Sequence, residues 1–347
     1  MVSIVLASAV TALTAATNLP TVTVEASRVE KNLLESAAHV ELIDREEILS
    51  SGATSMAEML EKRANLHLRK INSNPAMAQI SMRGYGANSF GRVKVIVDGE
   101  VVSNPDMEPQ NLMCVPLAGV DKVEIVRGPC TVLYGGDASA GVIDIVSSAP
   151  LAEGEELFTG EVRGGSEETF GVYLGVKGTT EESLSYYGNA DFLRSDGWRD
   201  NSGYEIWTAN GGLKRDFKNG ASLKIRAGWT DGTYGLPEGL FSGKATYGKD
   251  YGSWKDDPRA SSGRIRARNR VYGLGVYAHG VVDGENSVDA SVSFRERRNS
   301  GYGDYLVRTV GSALRYVNSA GWRGFENKFV SGGDFKFDMI NASAQVR

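Results

Sequence analysis

The chain reads as an α/β domain followed by antiparallel strands of a transmembrane β-barrel, and three observations predict this. Residues 21–148 mix short apolar strands with stretches of helical spacing. From Glu155 onward the pattern changes to strict alternation, as in strands with one face in lipid and the other in a lumen. The connections between the alternating runs fall into a short series and a longer one. Barrels with tight turns at one rim and loops at the other show that parity, and soluble sandwiches do not.

Composition bounds the alternatives. At 347 residues the chain holds one large domain or two ordinary ones. A hydrophobic fraction of 41% and a mean hydropathy of -0.25 exclude a bundle of transmembrane helices. No run after the N-terminus approaches the roughly 20 apolar residues that a spanning helix needs. A barrel passes this test, because its strands average lipid-facing and lumen-facing residues. The 42 Gly, 14 Tyr and 5 Trp suit a large β-protein with aromatic girdles. A net charge of -5 argues against nucleic acid as a partner. The Arg-rich run 264–270 reads as the base of an alternating strand.

The elements follow in order. Residues 1–17 are apolar and end in small residues, as in a secretory signal peptide, though without the Lys or Arg usual near its start. The other reading is a helical or disordered leader. Residues 18–150 form the α/β unit. Val40-Glu41-Leu42-Ile43 is a strand, Asp44 an N-cap, and Glu47 completes a capping-box spacing. A second helix starts near Thr54 with Met56, Met59 and Leu60 on one face. Strands follow over 78–82, 93–97, 123–126 and 142–146, and Asp98-Gly99 marks a tight turn. The two cysteines, Cys114 and Cys130, are open to either a disulfide or two thiols.

Residues 151–347 carry the alternation. Phe170, Val172, Leu174 and Val176 share a face, as do Leu223, Ile225, Ala227 and Trp229. So do Val288, Ala290, Val292 and Phe294, and then Phe335, Phe337 and Met339. Short turns are expected at 179–182, 217–220 and 283–286, and longer connections at 195–203, 231–263 and 299–325. About eight strands are countable.

Several motifs in order then point to a family. Ile80-Ser81-Met82-Arg83-Gly84, Val95-Ile96-Val97-Asp98-Gly99 and Val123-Glu124-Ile125-Val126-Arg127-Gly128-Pro129 are followed by Tyr134-Gly135 and Gly141-Val142-Ile143. This vocabulary resembles the plug domain of TonB-dependent outer-membrane receptors, nearest the cobalamin and siderophore branch. Thr21, Val22, Thr23, Val24, Glu25 and Ala26 resemble a TonB box, the extended peptide that adds as a strand to the periplasmic energy transducer. On composition alone they are an ordinary first strand.

The resemblance implies an α/β plug domain followed by barrel strands, located in the outer membrane of a Gram-negative bacterium. It implies active uptake of an iron-siderophore or cobalamin ligand. The implied partners are a TonB-type transducer with its ExbB/ExbD complex, outer-membrane lipid and the barrel assembly machinery. For Arg83 and Arg127 it implies a plug lock, two arginines paired with barrel glutamates on later strands. The family's barrel has about 22 strands, so about eight imply an incomplete one. Eight alone would close too narrowly around a plug of roughly a hundred residues. The chain finishes Ser343-Ala344-Gln345-Val346-Arg347 instead of on the aromatic residue that the assembly machinery commonly reads.

No bond chemistry is expected, and no cofactor. His39, His67 and His279 are scattered without zinc spacing, and there is no phosphate loop and no G-x-S-x-G element. Trp198, Tyr234, Trp254, Tyr302 and Tyr305 fall in expected outer loops. Trp198, Tyr234 and Trp254, with Tyr85 and Asn88 of the plug, are the ligand-binding candidates, since aromatic faces grip bulky ligands. Interfacial girdle positions are the other reading of the loop aromatics. Asp250, Asp256 and Asp257 offer oxygens for calcium, while Lys249 and Lys255 beside them favour a solvated loop. The alternative function is a non-transporting, plug-bearing surface binding or signalling protein. A secreted β-rich hydrolase would leave the plug motifs unexplained.

Overall fold

Local hydrogen bonding and apolar spacing set the first elements of this computed structural model. It describes residues 2–7, 23–24, 31–32, 39–70, 78–106, 108–147, 149–199, 201–237, 266–301, 303–322, 325–326 and 329–343. Strand β1 (Val2–Ala7) comes first, then the short antiparallel pair β2 (Thr23–Val24) and β3 (Lys31–Asn32). Strand β4 (His39–Asp44) runs into helix α1 (Arg45–Ser50). The Asp44 carboxylate accepts from the Glu47 amide at 2.8 Å, and the Glu47 carboxylate accepts from the Asp44 amide at 3.3 Å. This is the capping box the sequence predicts. Helix α2 (Met56–Arg63) is capped by Ser55, whose Oγ accepts from the Glu58 amide at 3.2 Å, and it buries Met56, Met59 and Leu60.

Strands β5 (His67–Lys70), β6 (Ala78–Ser81), β7 (Val93–Val97), β8 (Glu100–Val101) and β9 (Lys122–Arg127) follow. Helix α3 (Thr131–Tyr134) and strand β10 (Gly141–Val146) complete the α/β unit. Its sheet has the order β4-β9-β10-β7-β8, with β10 and β7 parallel. Both faces are covered, which is why β7, β9 and β10 read as near-continuous apolar runs. Val95, Val123, Ile125, Ile143 and Ile145 pack with the helices, while Ile96, Val126 and Val142 meet Tyr134 and Ala138. Each such buried side chain stabilises the domain by about 1.5–3 kcal/mol. Asp98 (φ 51°) and Gly99 (φ 90°) are both left-handed, as a two-residue hairpin turn that matches strand twist requires. The Asp98 carboxylate also accepts from the Ser147 amide at 2.7 Å, tying the turn to the end of β10.

The second half is one antiparallel run: β11 (Glu156–Gly165), β12 (Thr169–Thr179), β13 (Leu184–Ser195), β14 (Tyr204–Asp216), β15 (Ser222–Gly235), β16 (Arg266–Val281), β17 (Asn286–Ser300) and β18 (Asp304–Asn318). A short hairpin, β19 (Gly321–Trp322) and β20 (Phe325–Glu326), leads to β21 (Phe329–Ser343). Strand β1 adds to the free side of β11, giving ten strands with β1 and β21 at the edges among the described residues. Residues 2–7 belong to the segment read as a secretory leader, and here they occupy a sheet edge.

One expectation is corrected. The span 299–325, read as a long connection, contains the whole of β18. Arg308 and Ser312 stand on its outward face and interrupt the apolar alternation there, so the strand was not legible by pattern. The resulting connection at 301–303 is short, and so is the one at 166–168. The longer connections at that rim are 196–203 and 236–265.

The two faces of the long sheet are inverted relative to a soluble sandwich. Facing away from the α/β unit, Leu174, Leu314 and Phe335 are 62%, 59% and 62% exposed. Facing it, Arg226 and Arg297 are 6% and 3% exposed. An apolar outer face over a polar interior is the arrangement of a membrane barrel wall. Among the described residues no helix is long and apolar enough to cross a membrane, which says nothing of strands.

Candidate functional site

The site is the contact between the α/β unit and the inner face of the wall, and period two builds it. Arg295, Arg297 and Asn299 project inward from β17 as alternate residues, and Arg226 does so from β15. They meet the β7–β8 hairpin and the segment after it in sequence order. Arg226 Nη1 donates to the Val97 carbonyl at 2.7 Å and to Glu100 Oε2 at 3.0 Å. Arg295 Nη1 donates to the Val102 carbonyl at 3.2 Å and Asn104 Oδ1 at 3.1 Å. Arg297 pairs with Asp106 and Glu108. Glu108 also accepts from Asn299 Nδ2 at 2.6 Å and the Tyr305 hydroxyl at 3.0 Å. Further round, Lys177 of β12 pairs with Asp121, which lies 3.6 Å from Arg45.

This is a basic wall gripping an acidic hairpin. Burial raises the Glu100 carboxyl above its ordinary value, and Arg226 and Arg295 oppose the shift without cancelling it. A carboxyl raised in the docked state favours docking on the acid side and loses that contribution as pH rises through its docked value. Between hairpin and wall lies a cavity of about 80 Å³ with Asn111, Asn189, Asn210 and Asn269 in its lining. Asn111 Nδ2 and Asn269 Oδ1 make no hydrogen bond among the described residues. The space has room for a few waters, at about 30 Å³ each, beside these two open amide groups.

Sequence reasoning missed these acidic and basic partners. The phase of β15 and β17 was legible, but Asp106 and Glu108 sit in irregular chain, whose docking no periodicity encodes.

The arginines carried over from the family behave differently from that pattern. Arg127 Nη2 donates to Glu41 Oε2 at 2.7 Å, across from β9 to β4, and also to the Ala64 carbonyl. Its carboxylate partner is inside the plug, and no barrel carboxylate pairs with it among the described residues. Arg83 is exposed, in a left-handed conformation (φ 55°), close to Gly128. Arg127→Glu is expected to set two carboxylates against each other and to cost the plug about 1 kcal/mol or more. Faster cleavage of the plug in limited proteolysis is the readout, and an unchanged rate would remove any fastening role.

The ligand candidates do not converge. Tyr85 lies under the Arg92 guanidinium, 4.6 Å from ring centroid to Cζ, and the Asn88 carbonyl accepts from Arg92 Nε at 2.8 Å. Trp198 is exposed in the connection between β13 and β14. Tyr234 is not in a loop: β15 continues to Gly235, and Tyr234 packs, buried, with Met113, Leu193 and Ile206. Tyr305 likewise lies on β18. Trp254, Asp250, Asp256 and Asp257 lie outside the described residues, as does Tyr302.

Cys114 and Cys130 are both free thiols. Cys114 Sγ donates to the Asn111 carbonyl at 2.7 Å, and burial pushes its pKa up to about 11. Near neutral pH the reactive thiolate is then on the order of one part in a thousand or less. Cys130, less buried, is expected to alkylate first, and Cys114 only when the segment beside the wall is displaced. Equal alkylation rates of the two thiols would contradict this.

Comparisons with known proteins agree with the geometry. The family model described as TonB-dependent Receptor Plug Domain matches residues 32–142. The vitamin B12 transporter BtuB of Vibrio cholerae is 32% identical over 129 residues, covering 37% of this chain and 21% of that protein. The ferric enterobactin receptor of Pseudomonas aeruginosa is 30% identical over 146 residues, covering 37% and 19%. The matched stretch spans only about a fifth of the length of these curated relatives. Among solved structures, the unliganded ferric citrate transporter FecA superposes with a TM-score of 0.72 at 20% identity, covering 91% of this chain and 50% of that one. FpvA of P. aeruginosa gives 0.72 at 14% identity, covering 92% and 44%. Residues 32–142 thus match the plug domain of TonB-dependent receptors, and the solved structures share the fold of an α/β unit seated on an inward-polar wall.

Proposed function

We propose that the chain forms the plug and the leading part of the wall of a receptor that imports a scarce, bulky ligand across the outer membrane of a Gram-negative bacterium. One observation carries the reading: an α/β unit held by hydrogen bonds to the polar inner face of a sheet whose outer face is apolar. Free strand edges are not tolerated in lipid, so further strands complete the wall, about 22 in barrels of this plugged class. In this reading residues 1–17 direct secretion, 18–150 are TonB box and plug, and 151–347 are barrel wall inserted by the assembly machinery.

The ligand class is an iron-siderophore or cobalamin, as the names of the matched relatives suggest. It binds over the plug and outer loops near Tyr85, Asn88, Trp198 and Trp254. Occupancy shifts the population toward states in which residues 21–26 are available to a TonB-type transducer, and force from its ExbB/ExbD complex then remodels the plug. The test is uptake of labelled cobalamin and a panel of ferric siderophores by cells bearing the receptor with a closed barrel. Energy-dependent accumulation of one ligand is expected. A ligand held at the surface without accumulation would overturn transport and favour the surface binding or signalling alternative.

A further inference from the structure

Three clusters of buried apolar side chains occur among the described residues, and only one of them joins the α/β unit to the wall. It consists of Met113 from the α/β unit and Leu193, Ile206, Tyr234, Leu236 and Ala267 from the wall, with Tyr204 packed against them. The other contacts across this surface described above are hydrogen bonds and ion pairs. The apolar recess lies at the roots of both long connections of its rim. Leu193 is near the end of β13 and Tyr204 opens β14, on either side of the 196–203 connection. Tyr234 is near the end of β15, Leu236 is the first residue of the 236–265 connection, and Ala267 lies where the chain returns on β16. Tyr234 and Ala267 are direct cross-strand partners. The Gly235 amide donates to the Gly203 carbonyl at 2.8 Å, so the roots of the two connections are tied to each other.

Met113, 3% exposed, enters this recess from a single 3-10 turn, Leu112–Cys114. Its neighbour Leu112 belongs to the core of the α/β unit. The Asn111 side chain braces the turn by accepting from the Met113 amide at 3.2 Å, and the Cys114 amide donates to the Asn111 carbonyl at 3.4 Å. Successive residues of one braced turn thus face the plug core and the wall, so a displacement felt by one is passed to the other. Methionine is unbranched and fills irregular space, so it follows small shifts of the recess. Larger shifts open gaps around it and forfeit its contacts outright.

We propose that Met113 is the positioning residue through which the two long connections set the docked position of segment 102–121. The inference rests on the reading of the two halves as plug and wall. Ion pairs along the segment fix where it lies. The methionine adds a contact whose strength depends on the shape of the connection roots. Roots packed as described hold Met113 and keep the segment on the wall. Roots spread apart lose their contacts with it, and the segment docks more weakly although each ion pair is still able to form.

The experiment uses the receptor with a closed barrel and follows alkylation of Cys114 by N-ethylmaleimide, with Cys130 of the same molecule as internal reference. Leu236→Ala changes a connection root and leaves the plug sequence intact. It is expected to raise the Cys114 rate at least about tenfold while the Cys130 rate holds, because a leucine removed from a buried contact leaves a cavity. Tyr204→Ala is expected to act likewise from the other root, and Leu236→Met, which conserves volume, to stay near the unmutated rate. Met113→Ala is expected to match Leu236→Ala, and the pair together to exceed neither, since both remove one contact. An unchanged Cys114 rate in either root variant, additive effects of Met113→Ala and Leu236→Ala, or an equal rise at Cys130 overturns the proposal without touching the plug-and-wall reading. Heat-modifiable electrophoretic mobility reports barrel folding in every sample. Its absence in the unmutated receptor overturns the plug-and-wall reading and this inference with it.

Discussion

Arg226→Ala is expected to destabilise the docked plug by about 3–5 kcal/mol, because it strands Glu100 in a buried interface without its ion partner. The two side chains are 7% and 8% exposed, so water does little to screen the loss. The same substitution also removes a donor from the Val97 carbonyl. Adding Glu100→Gln should recover much of the deficit, since a neutral amide tolerates the vacated site better than a carboxylate does. A double-mutant cycle, read by denaturant-dependent release of the plug in a closed barrel, isolates the pair. Additive effects of the two substitutions would show that Arg226 and Glu100 do not act as a couple. At lower pH the Arg226→Ala defect should shrink, because the raised Glu100 carboxyl takes up a proton more readily.

Val22→Pro or Val24→Pro is expected to abolish energised uptake while leaving ligand binding intact. Residues Thr23–Val24 pair with Lys31–Asn32 within the chain, and in the proposed reading this segment exchanges that partner for the transducer's sheet. Proline removes one ladder donor and fixes φ, so a strand added through this segment loses a bond at its centre. Ligand affinity should hold because the binding candidates lie on other elements. Uptake measured beside equilibrium binding separates the two effects, and undiminished uptake would show that the transducer docks elsewhere.

Much of the fold was legible because its signals are local. The Asp44–Glu47 capping box, the apolar face of α2 and the Asp98-Gly99 turn each depend on residues a few positions apart. The runs at 170–176, 223–229, 288–294 and 335–339 each announce a long strand of the wall by alternation, namely β12, β15, β17 and β21. Strand β18 does not, because Arg308 stands where an apolar residue would continue the pattern and instead serves Glu296 across the strand. The contact surface was less legible for a different reason. Arg297 and Glu108 are far apart in sequence and meet only when hairpin and wall dock, and nothing near either residue specifies the other. Tyr234 shows the same limit at an element's end: four further residue pairs of ladder turn an expected loop aromatic into a packed one.

Strand order in the plug has a mechanical meaning. Strand β4 is one edge of the five-stranded sheet and β8 is the other. The chain enters the sheet through β4, whereas Arg226 moors it at β8. Tension on the N-terminal side therefore loads the β4–β9 ladder first and reaches the moored rim last. A sheet pulled from one edge sheds strands in order, so β4 gives way while the remainder stays held to the wall through Asp121 and the β8 rim.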